Sequence, residues 1–211
     1  MTESRPPGTY RTVAQELEHE PEKIKGSRHI ARVGRVTTER EVAAILHETA
    51  ARFPQANHHA YAYRLRSPRV VSHSSDDGEP AGSAGAPILA RLEGGDLLDV
   101  LVVVSRIFGG TKLGVGGLVR AYGGAATEAL ELAGVCEVVP RIRLALEHSY
   151  EDSAAVAAAL HSAQAEVVES DYGSSVRLTL VVLEHLAEEL RIAVRDGTRG
   201  RAQLTPDDSR A

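Results

Sequence analysis

Apolar positions along the chain recur with two different periods, and each change of period marks an element. Tyr10 to Leu17 alternates in part and predicts a strand. Ile24 to Val36 predicts another, with Ile30, Val33 and Val36 as its apolar positions. Thr38 followed three residues later by Glu41 forms a capping box. Val42, Ile45, Leu46, Thr49 and Phe53 then recur at helical spacing, so a helix runs to about Phe53 and Pro54 closes it. His58 to Arg66 alternates at period two and predicts a strand, with Val70 to His73 as a short partner. Ser74 to Gly85 is a polar, Gly-rich loop and Ala86 to Leu92 a helical segment. Leu97 to Ser105 is apolar almost throughout, the pattern of a strand buried on both faces. A second Gly-rich loop, Gly109 to Gly117, leads into a helix from about Leu118 to Ala133.

The remainder predicts a strand at Val138 to Glu147, an Ala-rich helix at Asp152 to Ala163 and two strands, Glu166 to Tyr172 and Ser175 to Leu183, joined at Gly173 as a hairpin. A helix at Glu184 to Arg195 and a weak strand at Ala202 to Leu204 complete a βαββαβ order, the ferredoxin-like pattern. The expected organisation is α+β: a first domain over 1–137, a ferredoxin-like domain over 138–204 and a disordered tail over 205–211, with the boundary near Cys136 to Pro140.

Composition narrows the function classes. Aromatic residues are 4% of the 211 with no Trp, so base-stacking platforms can only be few. The single cysteine, Cys136, forms no intramolecular disulfide, and its place at the domain boundary suits a small buried thiol. Met1 to Gly8 is polar and Pro-rich without an apolar h-region, and no window approaches about 18 uninterrupted apolar residues. A cytoplasmic protein with no membrane span is therefore expected. The net charge of −5 argues against binding nucleic acid by bulk electrostatics. The halves differ: residues 1–137 carry 16 Lys and Arg against 17 Asp and Glu, residues 138–211 carry 8 against 12. A local basic patch is open to the first half only, and no sequence-specific DNA readout is expected.

Two segments break the rules of a packed core. Ser75 to Gly85 (SDDGEPAGSAG) gathers Asp76, Asp77 and Glu79 around Gly78, Pro80 and Gly82. Asp and Gly make tight turns and Ser83 can cap the following helix; equally, three acids within four residues suit a hard cation such as Mg²⁺, although the spacing matches no standard loop. Arg106 to Gly124 (RIFGGTKLGVGGLVRAYGG) follows a buried strand and opens a helix, with Gly109, Gly110, Gly114, Gly116 and Gly117 around Lys112. Backbone N–H groups turned to one point, a helix N-terminus and the charges of Arg106, Lys112 and Arg120 make a phosphate site. Close helix-to-strand packing selects glycine too. Neither the Walker A ending nor GxGxxG spacing is present.

Arg28, Arg32 and Arg35, with Lys23 and Lys25, make the early strands the most basic stretch. Arg64, Arg66 and Arg69 follow, with Tyr61 and Tyr63 on one strand face. Such a surface could track a phosphate backbone while stacking bases, or be an ordinary solvated face. His58 and His59, adjacent on a strand, point to opposite faces and cannot easily share a metal. No nucleophile–base set is assignable, so no catalytic residue is named.

The two loop motifs resemble the signature of the Impact family, including bacterial YigZ, as do IKGSRHIARV (Ile24 to Val33) and the His-His pair before Ala60. SDYGSSVRLTL is similar to the second domain of bacterial members. Val115 stands where Thr is common and His29 where an aromatic is common. The resemblance implies an N-terminal domain of the ribosomal-protein type, like the fourth domain of the translocation elongation factor and carrying a left-handed βαβ element, followed by a ferredoxin-like domain. It implies RNA or the ribosome as a partner, or a protein partner in translation control. The leading expectation is a binding protein without assigned catalysis: backbone amides around Gly109 to Gly117 and Lys112 hold one phosphate, Arg28 and Arg32 extend the contact, and the acidic loop orders the site. The competing expectations are a protein-interaction regulator and a Mg-dependent enzyme acting on a phosphorylated small molecule. The enzyme reading requires both Gly-rich loops to converge on one pocket.

Overall fold

The computed structural model describes residues 6–207 and is a mixed α+β protein of two compact units, Tyr10–Val138 and the remainder from Val139 together with the residues up to Thr9. The first unit runs β1 (Tyr10–Val13), β2 (Leu17–His19), β3 (Arg28–Arg35), α1 (Glu39–Arg52), β4 (His58–Leu65), β5 (Val71–Ser75), α2 (Gly85–Gly94), β6 (Val100–Ile107), α3 (Val115–Ala133) and β7 (Val135–Val138). Five of its strands form an antiparallel sheet in the order β2-β3-β6-β4-β5, while β1 pairs with β7 alone.

The central strand explains the uninterrupted apolar run. Val100, Val102 and Val104 face a core with Ile88 and Leu92 of α2 and Leu118 and Tyr122 of α3. Leu101 and Val103 face a second core with Val42 of α1, Tyr63 and Leu65. A strand with helices on both faces has no polar side to alternate. Parity along the other strands sorts every side chain onto one layer or the other. The capping box forms as expected: Glu41 N–H donates to Thr38 Oγ1 and the Glu41 carboxylate accepts from Thr38 N–H.

The sheet differs from the sequence expectation at its joints. Tyr10 to Leu17 is two short strands with different partners, β1 and β2. Strand β6 starts at Val100 rather than Leu97, because Asp96 and Asp99 both adopt positive φ (47° and 55°) and interrupt the extended chain. Helix α3 starts at Val115, so Gly116 and Gly117 lie in its first turn rather than in the loop.

The second unit runs β8 (Arg141–His148), a short 3₁₀ turn, α4 (Ser153–Ser162), β9 (Glu166–Tyr172), β10 (Val176–Leu183), a second 3₁₀ turn, α5 (Ala187–Gly197) and β11 (Gln203–Pro206). Its antiparallel sheet has the order β11-β8-β10-β9, so the two central strands are flanked by the ones that follow the helices, the split βαβ arrangement. Alternate residues of β10, Val176, Leu178, Leu180 and Val182, are buried with Val156 and Leu160 of α4 and Leu190 and Val194 of α5. The strand expected at Val138 to Glu147 is broken by Pro140 into the end of β7 and β8. Thr205 and Pro206, expected in a tail, pair with Ala145 and Leu144 in β11. Residues 208–211 of that tail and 1–5 of the opening segment lie outside the described residues. No helix among the described residues is long and apolar enough to cross a membrane.

Candidate functional site

The acidic loop is held by its own backbone. Asp76 accepts from the N–H groups of Gly82 (2.8 Å), Ala84 (2.9 Å) and Gly85 (2.8 Å), and so caps α2 from eight residues away. Desolvation alone would raise the Asp76 pKa; the three N–H donors outweigh it and hold the carboxyl below its ordinary value. Ser83, expected as the cap, is fully buried and its hydroxyl has no partner. Asp77 N–H donates to Ser75 Oγ at 3.2 Å, and the Asp77 carboxylate accepts from His59 N–H at 2.6 Å. Asp77 and Gly78 turn the chain with φ of 45° and 84°. Asp76, Asp77 and Glu79 thus face three different sets of partners. Among the described residues no three His, Cys, Asp or Glu side chains are grouped to hold a metal.

Glu79 points the other way, into a buried polar cluster. Its Oε1 accepts from Arg106 Nη1 at 2.6 Å and from the Tyr122 hydroxyl at 2.8 Å. Burial first, then the Glu79 bond and charge, push the Tyr122 phenol far above its ordinary value, so it stays a donor. His29 packs edge-on to Tyr122, with ring centroids 5.4 Å apart. Burial, then the Arg106 charge, hold its pKa down at about 4, and neither ring nitrogen has a partner. Arg106 is 6% exposed and its Nε has no hydrogen-bond partner. His58 Nδ1 donates to the Asp77 carbonyl at 2.7 Å, since a carbonyl only accepts. That leaves Nε2 4.0 Å from Glu79 Oε1.

The second loop enters over a crossing of two backbones. A Cβ on Gly109 would lie 1.9 Å from the Gly26 carbonyl carbon, so only glycine fits there. Gly109 N–H donates to Ser27 Oγ at 3.2 Å and Phe108 N–H to Asn57 Oδ1 at 2.9 Å. Beyond them the chain arches through Gly110 (φ 89°) and Gly114 (φ 72°) into α3. Gly114 is the N-cap without a side-chain hydrogen bond, and no acid stands in the first turn of α3. The first N–H groups of a helix have no intrahelical acceptor and carry its positive pole.

A cleft of about 500 Å³ lies between the two loops. Glu79 and Pro80 come from the first, Lys112, Leu113, Gly114 and Val115 from the second, with Arg106, Phe108, Asn57 and His58 between them. The two Gly-rich motifs therefore converge. A concavity of the same volume on the second unit's sheet is lined by Glu147, Glu169 and Asp171 with Arg177, and among the described residues it holds no buried unpartnered polar atom.

The other expected residues go elsewhere. Arg28 forms a two-point pair with Glu20, both contacts 2.7 Å, and Arg32 bonds Glu48 at 2.8 Å and Thr49. Both lie on the α1 face of β3, opposite to the layer of the cleft. Arg64 pairs with Asp96 and Arg66 with Asp99. Four of these arginines are thus neutralised locally, Arg35 turns to the Val13 and Ala14 carbonyls, and Arg28 and Arg32 lay no track beside Lys112. Tyr61 and Tyr63 do stack, on the α1 side, where Tyr63 hydroxyl bonds Glu39. Arg120, one turn into α3, reaches back with Nη1 to Gly116 without lining the cleft, and Gly109 serves the backbone crossing rather than an open N–H. His59, whose imidazole burial holds below its ordinary value, bonds Ser105 on the α1 side. Sequence reasoning passed over Asn57, Phe108 and Tyr122. Strand parity was the available signal, since it puts His58 and Arg106 on the same sheet face.

Comparison with known proteins matches both units of the chain. Residues 25–130 match the Impact N-terminal domain, and residues 146–201 match a domain of unknown function (DUF1949). The chain is 34% identical to the IMPACT family member YigZ of Escherichia coli (strain K12) over 185 residues, 87% of this chain and 91% of that protein. It is 40% identical to an IMPACT family member of Thermus thermophilus over 157 residues, 74% and 84% of the two chains. The crystal structure of a hypothetical protein matches at 31% identity with a TM-score of 0.67, covering 96% of this chain and 98% of that one. On two matched domains, relatives aligned over nearly their full length and a shared two-unit architecture, the chain belongs to the Impact family.

Proposed function

We propose that this Impact-family chain is a cytoplasmic binding protein acting in the regulation of translation, and that it takes a phosphate-bearing partner, RNA or an RNA surface of the ribosome, at the cleft beside α3. The family membership supports the role in translation, and the geometry of the cleft supports the place of binding. One observation carries it: the uncapped, acid-free start of α3 opens beside Lys112 onto a cleft lined by an incompletely paired, buried Arg106. A helix N-terminus with a lysine at its mouth attracts a phosphate. Lys112 is exposed and has no hydrogen bond or ion pair among the described residues. Arg28 and Arg32, bound to Glu20 and Glu48, do not extend the contact.

Fluorescence anisotropy of short single-stranded RNAs against salt tests this. Wild type should bind in a salt-dependent manner, and Lys112→Ala should weaken binding and flatten the log–log salt slope by about 0.7, one phosphate contact on a single strand. No binding at low salt, or an unchanged slope in the variant, overturns the RNA reading and points to a protein partner in translation control.

The convergence of both loops on one cleft favours a second reading, an enzyme on a phosphorylated small molecule, with His58 Nε2 the titratable atom available for proton transfer. Mg²⁺ at Asp76, Asp77 and Glu79 would require those carboxylates to leave their present amide and guanidinium partners. Turnover of a phosphate ester that depends on Mg²⁺ and is lost in His58→Ala would establish this reading over the first.

A further inference from the structure

We infer that the cleft is built for a single nucleotide unit, one phosphate carrying one base, and hence for the phosphorylated end of an RNA strand or a free nucleoside monophosphate rather than the internal phosphates of a chain. This rests on the proposed anion site. Three observations narrow the ligand from any phosphate to this one.

The first is number. The α3 N-terminus and Lys112 present one anion position over a floor in which Arg106 is paired with Glu79, and Arg28 and Arg32 of the early strands are on the other sheet face in carboxylate pairs. An internal stretch of strand needs a row of phosphate contacts, and Arg28 and Arg32 do not supply one. The second is room: about 500 Å³ is the size of a small-molecule site. The third is the apolar lining beside the charge. Phe108 is 43% exposed in the cleft, with the Arg106 guanidinium 5.6 Å from its ring centroid, and Leu113, Val115 and Leu118 continue the apolar surface. Inorganic phosphate has no use for such a wall, whereas a base stacks on it. At its edge Asn57 has its carbonyl oxygen occupied by Phe108 N–H, leaving its NH₂ as a donor, and His58 Nε2 is an acceptor when neutral. That donor–acceptor pair suits the edge of a base. The buried Arg106 Nε without a partner marks the floor as incomplete without a ligand.

Calorimetric titration of the full chain with inorganic phosphate, adenosine, AMP, and a tetranucleotide with and without a 5′-phosphate tests the inference. AMP should bind at least about 10-fold more tightly than phosphate or adenosine, and the 5′-phosphorylated tetranucleotide at least as much more tightly than its 5′-hydroxyl form. Phe108→Ala should lose about 5- to 100-fold for AMP with phosphate binding unchanged, Phe108→Tyr should retain AMP, and Arg28→Ala should change neither. Lys112→Ala should weaken both ligands. Preference of AMP over the phosphorylated oligonucleotide would assign the free nucleotide as ligand, and the reverse the strand end. Equal affinity for AMP and phosphate, or unchanged AMP binding in Phe108→Ala, overturns the inference. If RNA still binds through Lys112 while AMP fails to compete, the single-nucleotide inference falls and the anion site stands; if nothing anionic binds, both fall.

Discussion

The loops 76–84 and 108–114 both carry a strand into a helix, and both are rich in glycine, yet they dispose of their polar groups in opposite ways. In the first, Asp76 takes up the N–H groups at the start of α2, Asp77 fastens the loop to β4, and Glu79 neutralises Arg106. In the second, only the entrance is tied, at Phe108 and Gly109, and the start of α3 has no side-chain acceptor. Helix starts need acceptors wherever they occur. One loop supplies its own within the chain; the other faces a cleft where a ligand can supply them. Similar composition therefore serves a brace in one place and a mouth in the other.

The sharpest way to break this contrast is to remove the internal acceptor. Asp76→Ala strips three charge-assisted hydrogen bonds and buries the unpaired N–H groups of Ala84 and Gly85, so it should cost about 4 kcal/mol in urea unfolding of the first unit. Glu79→Gln keeps an acceptor for Tyr122 but leaves the Arg106 charge uncompensated. A loss of about 2–3 kcal/mol is expected, together with tighter phosphate binding measured by calorimetry, because the cleft floor becomes more positive. His29→Phe should act in the other direction, raising stability by about 1 kcal/mol at neutral pH by removing two unpartnered buried nitrogens. Lys112→Ala should leave the unfolding free energy within about 0.5 kcal/mol of wild type while weakening RNA binding, since no other described residue bonds to it.

The acid limb of stability separates two of these variants. Unfolded histidine binds its proton near 6.5, folded His29 only near 4, so the unfolded state holds more protons between those values and stability falls as pH drops through that window. Folded Asp76 titrates below its ordinary 3.8, so its contribution is complete above that value and disappears as pH falls further. Urea titrations from pH 7 to pH 3 should show His29→Phe losing the upper part of the limb and Asp76→Ala the lower part.

Local signals were legible in the sequence and distant pairings were not. The capping box of α1 and the hairpin of β9 and β10 are encoded within a few residues and stand as read, and the apolar run of β6 is a buried strand that starts at Val100 and not at Leu97. The two loop motifs, and with them the family, were legible because their glycines and acids sit in an unusual order. Alternation over Tyr10 to Leu17 announces extended chain but not that Val13 pairs with Val135 while Leu17 pairs with Val33. Arg28 and Arg32 read as open charges because their neutralising partners, Glu20 and Glu48, are 8 and 16 residues away. Glu79, Arg106 and Tyr122 meet across 43 residues of sequence, which periodicity cannot foresee. Ser83 looked like a cap because caps usually stand next to their helix; the acceptor is Asp76, brought back by the turn at Asp77 and Gly78.

The crossing of Gly26 over Gly109 has a practical consequence for protein engineering. The arch from Gly110 to Gly114 takes its entry angle from a strand that begins more than 80 residues earlier, so grafting residues 106–118 alone onto another scaffold would carry the letters without the shape. A transplanted unit would have to pair that segment with residues 24–29 and with Asn57, which holds Phe108 N–H, and both glycines must travel together.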